Sequence, residues 1–289
     1  GRQSIDWAGN AVFLLALGGV LIALLMGGIE GWTQPLVVTG ATLFLAGTPL
    51  FFWIERRAAE PLLDVSLFRI RLFAVANATQ FINGTARIGL LFLLVFYFQG
   101  PRGLDAVGAG LAVTPLALSM LLVSPVAGWL SDHIGSRAPS TAGLLLTSIG
   151  LAGTAISLSG DPSYLALAIW MTVIGGGGGL FNPPNSSSIM AAVHPRQRGV
   201  ASGVRMLVAF SGSMVSIAFV LAIVTSSLPK DVMLRIFSGV TAGLSTAQVS
   251  PFIHGMQAAL VVLAILTVLS VPLSLMRGAE ESRRRESPV

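Results

Sequence analysis

The sequence predicts an all-α membrane protein with eight transmembrane helices, and three observations carry that prediction. Hydrophobic residues make up 54% of the 289 positions and charged residues only 10%, whereas soluble domains carry about 25% charged residues. Uncharged stretches long enough to cross a bilayer recur eight times. The positive charges between those stretches fall in an alternating pattern that suits an even number of crossings.

The spans follow in order. The first two run over 8–28 and 35–54, and the third over 72–98, interrupted only by Arg87. The fourth and fifth occupy 106–130 and 139–160. The sixth, 164–193, is longer than one crossing needs, and the Pro183-Pro184 pair is expected to break it. The seventh, 200–228, has Arg205 near its start, and the eighth covers 255–276. Each supplies about 20 residues or more, enough for a hydrocarbon core of roughly 30 Å. The short alternating segments of a β-barrel are absent from the sequence.

Sixteen Arg and one Lys stand against twelve acids, a net charge of +5. With the N-terminus in the cytoplasm, twelve basic residues fall in internal connections: Arg2, Arg56, Arg57, Arg69, Arg71, Arg137, Arg196, Arg198, Arg277, Arg283, Arg284 and Arg285. Three fall outside, namely Arg102, Lys230 and Arg235, and Arg87 and Arg205 lie within spans. That split predicts both ends of this chain on the cytoplasmic side of a cell membrane. It also explains the high isoelectric point without nucleic acid, because the bases lie between apolar segments and not on a soluble face.

The connections divide the chain into a leading pair with its charged loop (1–71), a six-helix unit (72–276) and a tail (277–289). Val232, Met233, Ile236, Phe237, Val240 and Leu244 fall near one helical face, predicting a short surface helix in the longest external connection. The tail, with Glu280, Glu281 and Arg283, is expected to be disordered and solvated from Arg277 onward. The chain starts at Gly1 without a methionine or cleavable leader and reads as a piece of something longer. It has no cysteine, and His133, His194 and His254 are scattered without metal spacing. No metal, cofactor or nucleophile–base–acid set is predicted, so the reading is not an enzyme.

Gly128-Trp-Leu-Ser-Asp-His-Ile-Gly-Ser-Arg137 lies between the fourth and fifth spans. Gly135 allows a tight turn, Asp132 offers a charge to a helix N-terminus or an Arg, and Arg137 can reach the headgroups. The segment resembles the cytoplasmic loop signature of the major facilitator superfamily, with matches at Gly128, Leu130, Asp132, Gly135 and Arg137. Asp6-Trp-Ala-Gly9, Glu60-Pro-Leu-Leu-Asp64, Ser124-Pro-Val-Ala-Gly128, Gly179-Leu-Phe-Asn-Pro-Pro184 and Arg198-Gly-Val-Ala-Ser-Gly203 add order and spacing. Together they resemble the fourteen-helix drug:proton antiporters of the EmrB/QacA type. The resemblance implies two linker helices followed by the C-terminal six-helix half of the major facilitator fold. Two three-helix repeats of inverted topology would make up that half; the sequence itself does not display them. The N-terminal six-helix half would be the missing partner.

Arg87 is the most informative single residue. An Arg near a bilayer centre costs about 2.5–3.5 kcal/mol on insertion scales and stays protonated. At 100° per residue Asn77, Gln80, Gly84 and Arg87 share an arc of about 80°, as a cavity wall requires. The alternative is a structural Arg bonded to neighbouring carbonyls. Every Asp and Glu lies outside the predicted spans, so Arg87 is expected to find its carboxylate in the missing half. The Gly175–Gly179 run and Pro183-Pro184 predict a helix that is kinked or partly unwound, either to flex or only to permit tight packing, with Asn182 and Asn185 facing polar groups. The run lacks the Lys of a phosphate loop. Arg205 can snorkel to the headgroups, and Pro115, Pro125 and Pro272 mark further expected bends.

The expectation is therefore a transporter part: alternating access with export of lipophilic or amphipathic small molecules, protons moving inward, and the lipid bilayer as solvent. The alternative is a non-transporting eight-helix scaffold or regulatory subunit.

Overall fold

The computed structural model describes residues 7–55, 57, 65–158, 163–225, 232 and 246–277. Among these, eight segments are helical, long and apolar enough to cross a membrane, as the sequence predicted. The first two are α1 (Trp7–Glu30) and α2 (Pro35–Glu55); a 3-10 turn, Val65–Arg69, leads into α3 (Arg71–Gln99). The short α4 (Ala106–Ala112) precedes α5 (Thr114–Ile134), and α6 (Arg137–Ser157) and α7 (Tyr164–Ala191) follow. After a second 3-10 turn, Pro195–Gln197, come α8 (Arg198–Thr225) and α9 (Thr246–Leu275).

Two populations of apolar side chain set the architecture. Leu90, Leu94, Leu151, Leu167, Met171, Leu260 and Leu263 are fully buried in one interior cluster. Leu45, Leu121, Ile156, Leu165 and Leu269 point outward and are highly exposed, Ile156 by 73%. Water would penalise so much exposed hydrocarbon, whereas acyl chains solvate it. Small residues then decide which helices touch. α1 and α2 approach backbone to backbone: a Cβ built on either Gly19 or Gly40 would lie 2.6 Å from the other's carbonyl oxygen.

The six-helix unit is interlocked. α7 packs along both α5 and α6, α9 along α6 and α3, and α8 along α3, while α1 leans on α8. Exchanging α3 with α7, α5 with α8 and α6 with α9 leaves this pattern of neighbours unchanged, since α3 on α8 maps onto α7 on α5. That relation is what two interlocked three-helix repeats produce, although the sequence gives no sign of it.

Four expectations are corrected. The fourth span is not one helix: it breaks at Val113 (φ −91°, ψ 0°) between α4 and α5. Pro115 lacks an N–H, and the Tyr164 hydroxyl donates to the nearby Ala112 carbonyl at 3.2 Å. The sixth span, by contrast, stays helical through Pro183 and Pro184 and is not unwound. The eighth helix opens at Thr246, nine residues before its apolar run, because its first turns are polar and hydropathy reads them as loop. Finally, Arg277 is not solvated but 4% exposed. Of the surface helix expected over 232–244 only Val232 is described, and it is buried in the interior cluster, 3% exposed; 233–244, the rest of the tail (278–289) and the Glu60–Asp64 motif lie outside the described residues.

Candidate functional site

The face of α3 that carries Asn77, Gln80 and Arg87 turns towards α7. Asn185 of α7 is fully buried, and its Nδ2 donates to Gln80 Oε1 at 3.0 Å and to the Ala76 carbonyl at 3.2 Å. Asn77 lies one turn earlier and donates from Nδ2 to its own helix, at the Phe73 carbonyl, 2.9 Å away. Gln80 and Asn185, chosen separately from the sequence, therefore meet.

Arg87 and Asn182 also come together, around Gly178. A Cβ added to that glycine would sit 3.6 Å from Arg87 Cδ, 3.8 Å from Asn182 Nδ2 and 3.8 Å from Met120 Sδ. Three helices thus converge on a position where the absence of a side chain leaves room beside a guanidinium. Asn182 Nδ2 donates to the Gly178 carbonyl at 2.8 Å, which turns its amide towards the same spot. Its glycine neighbours serve another purpose. Gly175 presses on the Leu116 carbonyl and Ser119, and Gly179 lies so close to α5 that a Cβ would be 2.9 Å from the Met120 carbonyl oxygen. Gly175 and Gly179 therefore seat α7 on α5, the packing role that stood beside flexing in the sequence.

Several buried polar atoms here have no hydrogen-bond partner among the described residues: Arg87 Nε, Asn77 Oδ1, Asn185 Oδ1 and both amide atoms of Asn83. Buried polar groups are nearly always paired, so a cluster of unpaired ones marks a place for water or ligand. Asn83, 1% exposed, was missed in the sequence because it lies about 40° outside the arc of its neighbours. Its spacing of four from both Thr79 and Arg87 is the signal that would have found it. Among the described residues no carboxylate sits in the middle of a span: Glu30 and Glu55 end α1 and α2, Asp105 caps α4, and Asp132 lies in the last turn of α5.

The loop signature sits at the α5–α6 turn. Gly135 adopts φ 83°, ψ 165°, a conformation that side chains disfavour, and its N–H closes α5 on the Ser131 carbonyl at 2.9 Å. Asp132 and Arg137 are exposed on either side of it, and a Cβ on Gly128 would meet nothing within 4 Å. Arg277 reaches into the bundle from the end of α9, donating from Nη2 to Thr79 Oγ1 at 2.6 Å and lying 5.8 Å from the Phe181 ring centre. Arg205 stays half-buried near the start of α8. Among the described residues no three His, Cys, Asp or Glu side chains gather as metal ligands would.

Comparison with known proteins places the chain in a family. The chain is 31% identical over 216 residues to the multidrug resistance protein Stp of Mycobacterium tuberculosis, covering 75% of this chain and 40% of that protein. It is 33% identical over 162 residues to the riboflavin transporter RibZ of Clostridioides difficile, covering 54% and 35%. The methylenomycin A resistance protein of Streptomyces coelicolor is 31% identical over 215 residues, covering 73% and 44%. The chain thus matches less than half the length of each of these relatives. A solved bacterial homologue of the human lysosomal transporter Spinster, inward-facing and occupied, superposes on 96% of this chain and 69% of its own, with a TM-score of 0.59 at 16% identity. That likeness concerns the fold alone. The Major Facilitator Superfamily profile matches residues 7–217 and again 76–288. On these grounds the chain belongs to the Major Facilitator Superfamily.

Proposed function

We propose that this chain is the C-terminal part of a fourteen-helix transporter that exports drugs or other lipophilic and amphipathic molecules in exchange for protons. Supporting this reading is the convergence of Arg87 and Asn182 on Gly178, backed by the unpaired Oδ1 atoms of Asn77 and Asn185 and the unpaired amide of Asn83. A cation with an unpartnered Nε at mid-membrane depth is costly unless water, ligand or a carboxylate reaches it. In this reading α3, α5 and α7 form one wall of a central cavity, and the missing N-terminal half supplies the other wall and the proton-carrying acid. α1 and α2 are the linker pair, the Asp132 loop is cytoplasmic, and both ends of the chain face the cytoplasm. The relatives with resistance in their names support a drug as cargo, while the riboflavin transporter keeps a metabolite possible within the same family.

Dye efflux from cells expressing the full-length protein tests it. Arg87→Ala is expected to lower efflux about tenfold or more, with the protein still inserted at normal abundance. Normal efflux at every pH in that variant would remove Arg87 from both cavity and coupling. The coding DNA upstream of the Gly1 codon tests the rest, and an in-frame extension of about six helices is the expected result.

A further inference from the structure

Between the leading pair and α8 lies a cavity of about 580 Å³, walled by Phe13 and Val20 of α1, Phe51 of α2, Phe68 of the first 3-10 turn, Phe81 of α3 and Val208 of α8. Its size falls among ligand pockets of about 300–1,000 Å³, and its walls are almost wholly hydrocarbon. The hydroxyl of Thr48, at its edge, is already bonded to the Phe44 carbonyl at 2.7 Å. Water would find no partner here, so the space suits an apolar chain.

A second hollow adjoins it at Phe52, lined also by Pro49, Trp53 and Arg57. There the Arg57 guanidinium stacks 4.0 Å above the Trp53 ring, and both residues are exposed. Cation–π contact with the indole holds this exposed guanidinium at the mouth of the hollow, where its N–H donors can take a phosphate. One end of the combined groove therefore recognises an anion and the other accepts hydrocarbon.

We infer that this groove binds a single anionic phospholipid, its phosphate on Arg57 and one acyl chain in the cavity between α1, α2 and α8. A free hydrocarbon or lipophilic drug would leave the guanidinium unused, and a soluble anion would leave the cavity unfilled. The occupant would fill the seam that joins the leading pair to the six-helix unit. This inference does not depend on the transport reading.

The test is native mass spectrometry of the full-length protein released from nanodiscs made of equal parts phosphatidylcholine and phosphatidylglycerol. One phosphatidylglycerol is expected to stay bound. Arg57→Gln should cut its occupancy about tenfold, and Ser211→Phe on α8 and Val20→Phe on α1, both at positions that line the cavity, should expel it. Circular dichroism on each variant separates lipid loss from misfolding. Equal retention of the two lipids, or unchanged occupancy in Arg57→Gln, would overturn the headgroup assignment. A lipid that survives in both folded cavity variants would overturn the acyl-chain assignment, as would a wild-type protein that retains none.

Discussion

At the scale of single residues, glycine and asparagine divide the work on α7. Gly178 keeps space open beside Arg87, whereas Gly175 is consumed by contact with α5. Gly175→Ala should destabilise the protein by about 1–3 kcal/mol, the usual cost of overpacking. Gly176→Ala, whose added methyl would meet only Val123 at 3.8 Å, should leave stability nearly unchanged. Thermal unfolding in detergent, followed by intrinsic fluorescence, distinguishes them, and equal losses would show that the run matters through chain flexibility instead. Arg87, Gln80, Asn182 and Asn185 were legible because a polar side chain in an apolar span stands out. Their pairing was not, since 105 residues separate Gln80 from Asn185 and nothing local ties them. Arg277 was misread for a related reason: a base beside a charged tail looks solvated until the Thr79 hydroxyl, 198 residues earlier, is seen to receive it.

At the scale of elements, length and hydropathy revealed all eight crossings, because the bilayer imposes a minimum apolar run on each. They did not reveal how each helix is built. Val113 breaks the fourth crossing inside an unbroken apolar stretch, while Pro183 and Pro184 leave the sixth helical. The difference lies in tertiary partners such as Tyr164, which sequence periodicity does not contain. A continuous helix can still bend where two N–H donors are missing. Pro183→Ala should restore one such donor, raise the unfolding temperature or leave it unchanged, and slow dye efflux several-fold in the full-length protein. Undiminished efflux would assign the proline pair to packing.

For the whole molecule, the charge distribution predicts orientation and the absence of cysteine makes it measurable. His133→Cys, at the exposed end of α5, should react with an impermeant maleimide only after the cells are permeabilised. Leu104→Cys, exposed between α3 and α4, should react in intact cells. The reverse result would invert the topology and with it the direction assigned to the cavity. The six-helix arrangement was legible only through resemblance; the neighbour pattern of α3, α5 and α6 against α7, α8 and α9 carries it physically.

The interlocking also has a bearing on how the chain is made. α3 enters the membrane well before some of its partners: Ser216 of α8 donates to the Thr85 carbonyl from 131 residues downstream, and Arg277 closes on Thr79 only after α9 has emerged. Until α7 follows, Gln80 and Arg87 lack the Asn185 and Gly178 that face them, and Thr79 waits longer still for Arg277. The nascent chain therefore needs a sheltered waiting place, beside the insertion machinery or against helices already made, for as long as ribosomes take to deliver the last crossing.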